Sequence, residues 1–246
     1  MVQGPATVVL VHGAWHGAWC FDRVTPLLRD AGVDAIAVDL PGHGDDPGPL
    51  GDHPADVARV LAALDTVDGD VVLLGHSYGG SVITQAGVHP SVRRLVYLCA
   101  FALAEGESCA AAAVGEPGID SIFHDGRPNL GDAMVHHDDG STTLTPDGAR
   151  ACLYADVDDS TTEWALARLG PQSMPALMTA PTAIAWRSVP STYVVCADDL
   201  AVHPDLQRIM ARRCRDQVEW PVGHSPFAHR PELVADLLVD LARALA

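Results

Sequence analysis

With 246 residues, 48% of them hydrophobic, the chain is long enough for one α/β domain with a sizeable core. A net charge of −17 argues against nucleic acid and anionic membrane surfaces as partners, and no apolar run is long enough to span a bilayer. All fifteen cationic residues are Arg, which removes lysine Schiff-base chemistry and any P-loop lysine.

The start, MVQGPATVVLVHGAW, has neither a basic n-region nor a cleavage site, so a cytoplasmic protein is expected. Its first strand, Thr7–His12, runs into a doubled His-Gly-Ala-Trp at 12–15 and 16–19. A helix is expected near Cys20–Ala31, stopped by Gly32, and then a strand at Asp34–Val38. The turn DLPGHGDDPG follows, and its His43 reads as part of a tight Gly-rich connection. Next come a helix near Pro54–Leu64, a strand at Val71–Gly75, a helix at Gly79–Val88 and a strand at Leu95–Cys99. The strands show little polar alternation, as strands covered on both faces should.

From about Glu105 to Ser188 the alternation breaks among seven helix-breaking positions: Pro117, Gly118, Pro128, Pro146, Pro171, Pro175 and Pro181. A hairpin around Asp139-Gly140 and helices near Pro146–Tyr154 and Thr161–Leu169 are expected there. Residues 105–188 therefore read as an inserted cap over the C-terminal edge of a sheet, with 1–104 and 189–246 forming the core. The core resumes with strands Thr192–Cys196 and Gln217–Trp220 and helices Pro204–Arg213 and Pro231–Ala244. Strand-helix alternation of this kind gives a mostly parallel sheet with helices on both faces. Six scattered cysteines, at 20, 99, 109, 152, 196 and 214, form no C-x-x-C and read as buried thiols.

Chemistry concentrates at GHSYGG, residues 75–80, which meets the pattern G-x-S-x-G between a buried strand and an amphipathic helix. A sharp turn there exposes a serine hydroxyl, so Ser77 is the candidate nucleophile. Serine needs a base, and the base needs an orienting acid. STYVVCADDL offers Asp198 or Asp199, and EWPVGHSPF offers His224, in the chain order this architecture requires. Position alone does not choose between the two aspartates. His76 reads as a packed strand-end residue and His229 as a surface or capping one. An oxyanion hole needs two N–H donors, and the candidates are Tyr78 and Ala14, with Gly13 letting the loop approach the substrate. His12 is either packed at the strand end or a polar group of the pocket, and Trp19 of the second copy reads as packing. His136-His137-Asp138-Asp139 is metal-like in composition only, because adjacent strand residues face opposite ways and Asp139-Gly140 is turn chemistry.

LVHGAWHGAWCF, DLPGHG, GHSYGG, STTEWALARLGPQ, YVVCADD and GHSPF together resemble the α/β-hydrolases. The resemblance spans the chain and is strongest to the branch of plant hydroxynitrile lyases, methyl-salicylate-type esterases and bacterial carboxylesterases. It implies the α/β-hydrolase fold, a mostly parallel doubly wound sheet with an inserted, mainly helical cap, and no cofactor. It also implies Ser77 as nucleophile, His224 as base and Asp199 as acid, since the family's acid stands eight residues before a glutamine, here Gln207. The plant lyases carry threonine and lysine where this chain has Gly13 and Ser225, which favours hydrolysis of a small-molecule ester. C–C or C–N bond chemistry on the same triad, or a silent binding protein, are the alternatives. His12, Gly13, Trp164, Met174, Leu177 and Met178 are candidates for the substrate pocket. A homodimer is left open.

Overall fold

A computed structural model describes residues 4–114 and 127–246; Pro117 and Gly118 lie outside the described residues. In the first half, β1 (Thr7–Val11), α1 (Thr25–Asp30), β2 (Ala35–Val38), α2 (His53–Leu64), β3 (Val71–His76), α3 (Gly79–Ala86) and β4 (Val92–Leu98) alternate. The segment that follows contains α4 (Cys109–Val114), α5 (Leu130–Ala133), β5 (Met134–His136), β6 (Ser141–Leu144), α6 (Pro146–Leu153), α7 (Asp159–Leu166), β7 (Gln172–Ser173) and α8 (Met174–Met178). Then come β8 (Ser191–Cys196), α9 (Pro204–Ala211), β9 (Asp216–Trp220), α10 (Pro226–His229) and α11 (Pro231–Arg243).

Six strands form a wholly parallel sheet in the order β2-β1-β3-β4-β8-β9. β3 (VVLLGH) and β8 (STYVVC) are buried at every residue, because helices cover both sheet faces. Two apolar clusters result, one on each face: Val9, Leu73 and Tyr97 belong to one, and Val8, Leu74 and Val96 to the other. The chain leaves β1 toward β2 and returns to the opposite side at β3. The C-terminal ends of β1 and β3 therefore border the crevice where open α/β sheets bind ligands. All six cysteines are buried and free. Among the described residues no helix is long and apolar enough to cross a membrane.

Several boundaries differ from expectation for local reasons. The helix expected over Cys20–Ala31 is split into a 3-10 turn at Ala18–Phe21 and α1, because Pro26 opens a new helix. β4 begins three residues early. Arg93 and Arg94 disguise it, reaching past the sheet edge to Asp70 and Asp216. The hairpin at Gly140 (φ 80°) gains a third strand, β7, so the segment between β4 and β8 holds a small antiparallel sheet as well as helices.

Candidate active site

The strand β3 ends at His76, and α3 begins at Gly79, so the chain turns within two residues. Ser77 sits on that turn at φ 51°. A left-handed conformation in a non-glycine residue costs about 1–3 kcal/mol and persists only where the surroundings impose it. Here they do: the Ser77 N–H donates to Leu98 O (3.2 Å), and its carbonyl accepts from Gly80 N (3.0 Å) and Phe101 N (3.1 Å). A Cβ on Gly79 would stand 2.6 Å from Val11 O and His12 O, so only glycine lets α3 start against the end of β1.

At the end of β1, His12 is fully buried and lies in the strand-end packing rather than in the pocket. Its Nδ1–H donates to Gly13 O (2.8 Å), and its Nε2 accepts the Leu40 N–H (3.1 Å). That bond fixes the plane of the Gly13–Ala14 peptide and hence the direction of the Ala14 N–H. Trp15, at φ 62°, turns the loop, and its indole N–H donates to Thr142 Oγ1 (3.2 Å). Among the described residues neither the Ala14 N–H nor the Tyr78 N–H donates to a protein acceptor, and both residues line the same cavity as Ser77. An oxyanion hole calls for two N–H groups free of protein acceptors, and these two belong to residues that share a cavity with a serine hydroxyl.

Asp198 is exposed, whereas Asp199 is 1% exposed. Asp199 Oδ2 accepts His224 Nδ1–H (2.8 Å) and Gln207 Nε2–H (2.7 Å), and its Oδ1 accepts the N–H groups of Ala201 (2.7 Å) and Val202 (2.9 Å). With Nδ1 donating to a carboxylate, His224 presents Nε2 as its free base nitrogen. The His224 backbone is pinned from below: His76 Nε2–H (2.9 Å) and the Cys99 thiol (3.3 Å) both donate to its carbonyl. These two supports escape sequence reasoning, because nothing local relates positions 76 and 99 to 224. Ser77 Oγ itself makes no protein hydrogen bond among the described residues. Bonds of this kind often tighten only when substrate is bound.

Ser77 and Asp199 open on a cavity of about 480 Å³ walled by Ala14, Trp15, Tyr78, Phe101, Met174 and Leu177. Two pocket candidates lie elsewhere. Trp164 packs edge-on against Trp19 (5.3 Å) under the Arg168 guanidinium (4.5 Å), and Met178 is 64% exposed on the outer end of α8. Gly13 lies under the site rather than along the cavity wall, against Ser77 Cβ and His76.

His76, Cys99 and His224 bring potential metal donors within 4.8 Å of one another. His76 Nε2–H and the Cys99 thiol both point their hydrogens at the His224 carbonyl, and burial pushes the Cys99 thiol well up, keeping it protonated. His137 bonds Thr143 (2.9 Å) and Asp139 caps Ser141 (2.9 Å), so both serve the hairpin. His43 is buried in its turn against Pro41 O (3.0 Å) and His12, and His229 ends α10, partly exposed.

Behind Tyr78 the hydroxyl donates to Asp56 Oδ2 (2.5 Å), and Asp56 Oδ1 has no partner among the described residues. Burial raises the Asp56 pKa to about 7, the Tyr78 hydrogen bond only partly opposing it. The folded state therefore favours the protonated acid. Its stabilisation is full below the unfolded carboxyl range and is lost as pH rises through about 7. Between pH 5 and 8 the wild type should lose about 2–3 kcal/mol of unfolding free energy relative to Asp56→Asn. Urea titrations of both proteins at the two pH values measure this; equal losses would refute it.

A profile of the alpha/beta hydrolase family matches residues 8–237. The α/β-hydrolase nvfD of Aspergillus novofumigatus is 30% identical, over 96% of this chain and 96% of that one. Methylesterase 18 of Arabidopsis thaliana is 27% identical over 97% of each chain. Among solved structures, a pyrethroid hydrolase from Sphingobium faniae JZ-2 superposes with a TM-score of 0.83 at 28% identity, covering 97% of this chain and 98% of the other.

Proposed function

The chain belongs to the alpha/beta hydrolase family, and from that premise we propose that it is a serine esterase acting on small, largely apolar esters. The observation that carries this reading is the Asp199–His224 hydrogen bond (2.8 Å) set behind the cavity on which Ser77 opens. Ser77 Oγ attacks the ester carbonyl as His224 Nε2 takes its proton. The Ala14 and Tyr78 N–H groups hold the oxyanion, and Asp199 keeps His224 in the tautomer that leaves Nε2 basic. The tetrahedral intermediate collapses, and the departing alkoxide receives the proton from His224. Water, deprotonated by His224, then attacks the acyl-enzyme, and the carboxylic acid leaves as Ser77 is reprotonated.

The apolar walls formed by Phe101, Met134, Met174 and Leu177 favour an apolar acyl or alcohol group, while Arg127, Asn129, Asp132 and His203 also line the cavity and offer it polar contacts. Residues 105–188 act in this reading as the cap that selects that group, through Met174 and Leu177. The named hydrolase and esterase relatives agree with ester hydrolysis at this level.

Purified protein should hydrolyse p-nitrophenyl esters of short and medium acyl chains. A fluorophosphonate should modify Ser77 with loss of that activity, and Ser77→Ala should take up no label. Labelling elsewhere, or wild type as inert as Ser77→Ala across the ester panel, would sink the proposal.

A further inference from the structure

One three-residue stretch of the inserted segment touches both sides of the site. It is Tyr154-Ala155-Asp156, directly after α6. Tyr154 is buried, and its hydroxyl lies 2.7 Å from His16 Nε2, while His16 Nδ1 lies 2.8 Å from Ala14 O. A carbonyl oxygen only accepts, so Nδ1 carries the hydrogen. Burial holds the His16 pKa down at about 4, so the ring is neutral near pH 7, and Nε2 must accept from the tyrosine. The hydroxyl thus acts through His16 on the Ala14–Trp15 peptide. That peptide directly follows the one whose N–H is the proposed oxyanion donor.

Two residues further on, Asp156 Oδ2 accepts the Gly223 N–H at 2.5 Å, and Gly223 immediately precedes His224. The carboxylate lies over the glycine: a Cβ at 223 would stand 2.6 Å from Asp156 Oδ1. One short loop therefore holds the oxyanion loop with one residue and the base loop with another.

We propose that Tyr154 and Asp156 are positioning residues that set the distance between the Ala14 N–H and His224, so that the seating of the inserted segment governs catalytic geometry. This rests on the esterase reading above. Neither side chain needs to touch substrate. Removing either lets one loop drift relative to the other, and misplacement on the ångström scale is enough to cost up to about 10²-fold in rate.

The test uses Tyr154→Phe, Asp156→Ala and Asp156→Asn in the full chain, with kcat expressed per site titrated by fluorophosphonate so that unfolded protein does not count. Tyr154→Phe and Asp156→Ala should each lower kcat about 10- to 100-fold with KM within about twofold. Asp156→Asn keeps an acceptor for the Gly223 N–H and should recover most of the loss. If Tyr154→Phe and Asp156→Ala both keep kcat within twofold of wild type per titrated site, the inference is overturned. The same holds if Asp156→Asn is as impaired as Asp156→Ala. An inert, unlabelled wild type would instead overturn the esterase reading itself.

Discussion

Ser77→Ala should lower kcat for p-nitrophenyl acetate by about 10³-fold or more, and adding Asp199→Asn to it should cost almost nothing further. In the proposed mechanism the three groups act as a unit. Without the hydroxyl there is no proton for His224 to take, so the state of the imidazole no longer matters. Asp199→Asn alone should also be severe, about 10³- to 10⁴-fold. An amide at Oδ2 would offer the wrong hydrogen-bond character to His224 Nδ1, and Nδ1 would become the acceptor. Nε2 would then hold the proton and cease to be a base. The Ala201 and Val202 N–H groups enforce this, since both donate to Oδ1 and would hold an asparagine oxygen there, leaving its NH2 at the Oδ2 position. Asp198→Asn is the internal control: that side chain is exposed, and kcat should stay within about twofold. Additive losses in the double variant, or a mild Asp199→Asn, would refute the triad.

The pairing of Asp199 with His224 marks where the sequence is legible and where it is not. Elements whose signal is local could be read directly. Buried Val-Leu runs became strands of a parallel sheet, and the G-x-S-x-G turn placed Ser77 between a strand and a helix. Position could not separate Asp198 from Asp199, because both lie on one irregular turn where no periodicity operates. Only the resemblance to the α/β-hydrolases, through the family's spacing from acid to glutamine, favoured the second, and the Gln207–Asp199 bond (2.7 Å) is the physical content of that spacing. The segment between β4 and β8 was least legible. Its helices are short, α8 has only five residues, and β7 has two, so hydrophobic periodicity has no room to develop. Trp164 and Met178 look like pocket residues by type, but the direction each faces is set by contacts with distant elements. His12 illustrates the same limit: its partner Leu40 lies on the turn after β2, and no local pattern announces that bond.

Gly13→Ala is expected to be the most damaging single-methyl change, lowering kcat about 10²- to 10³-fold with KM little altered. An added Cβ would stand 2.8 Å from His76 Nδ1 and 2.9 Å from Ser77 Cβ, closer than such contacts can be. Something must move, and the neighbours are poorly placed to do so. Ser77 is fixed by three backbone hydrogen bonds in a left-handed conformation. The His76 ring is held by the His224 carbonyl and packed between His224 (4.7 Å) and Phe227 (4.9 Å). The easiest adjustment is outward movement of the 13–14 peptide, which carries the Ala14 N–H away from Ser77. Losing one oxyanion donor is worth about 10²- to 10³-fold in kcat. The same crowding means that a side chain at position 13, such as the threonine of the plant lyases, cannot be accepted here without rebuilding the loop. Steady-state kinetics separate the cases: a loss confined to kcat supports the oxyanion role, whereas a loss confined to KM would show that residue 13 only shapes binding. Full activity in Gly13→Ala would mean that the loop is free to yield and that the Ala14 N–H is not the donor.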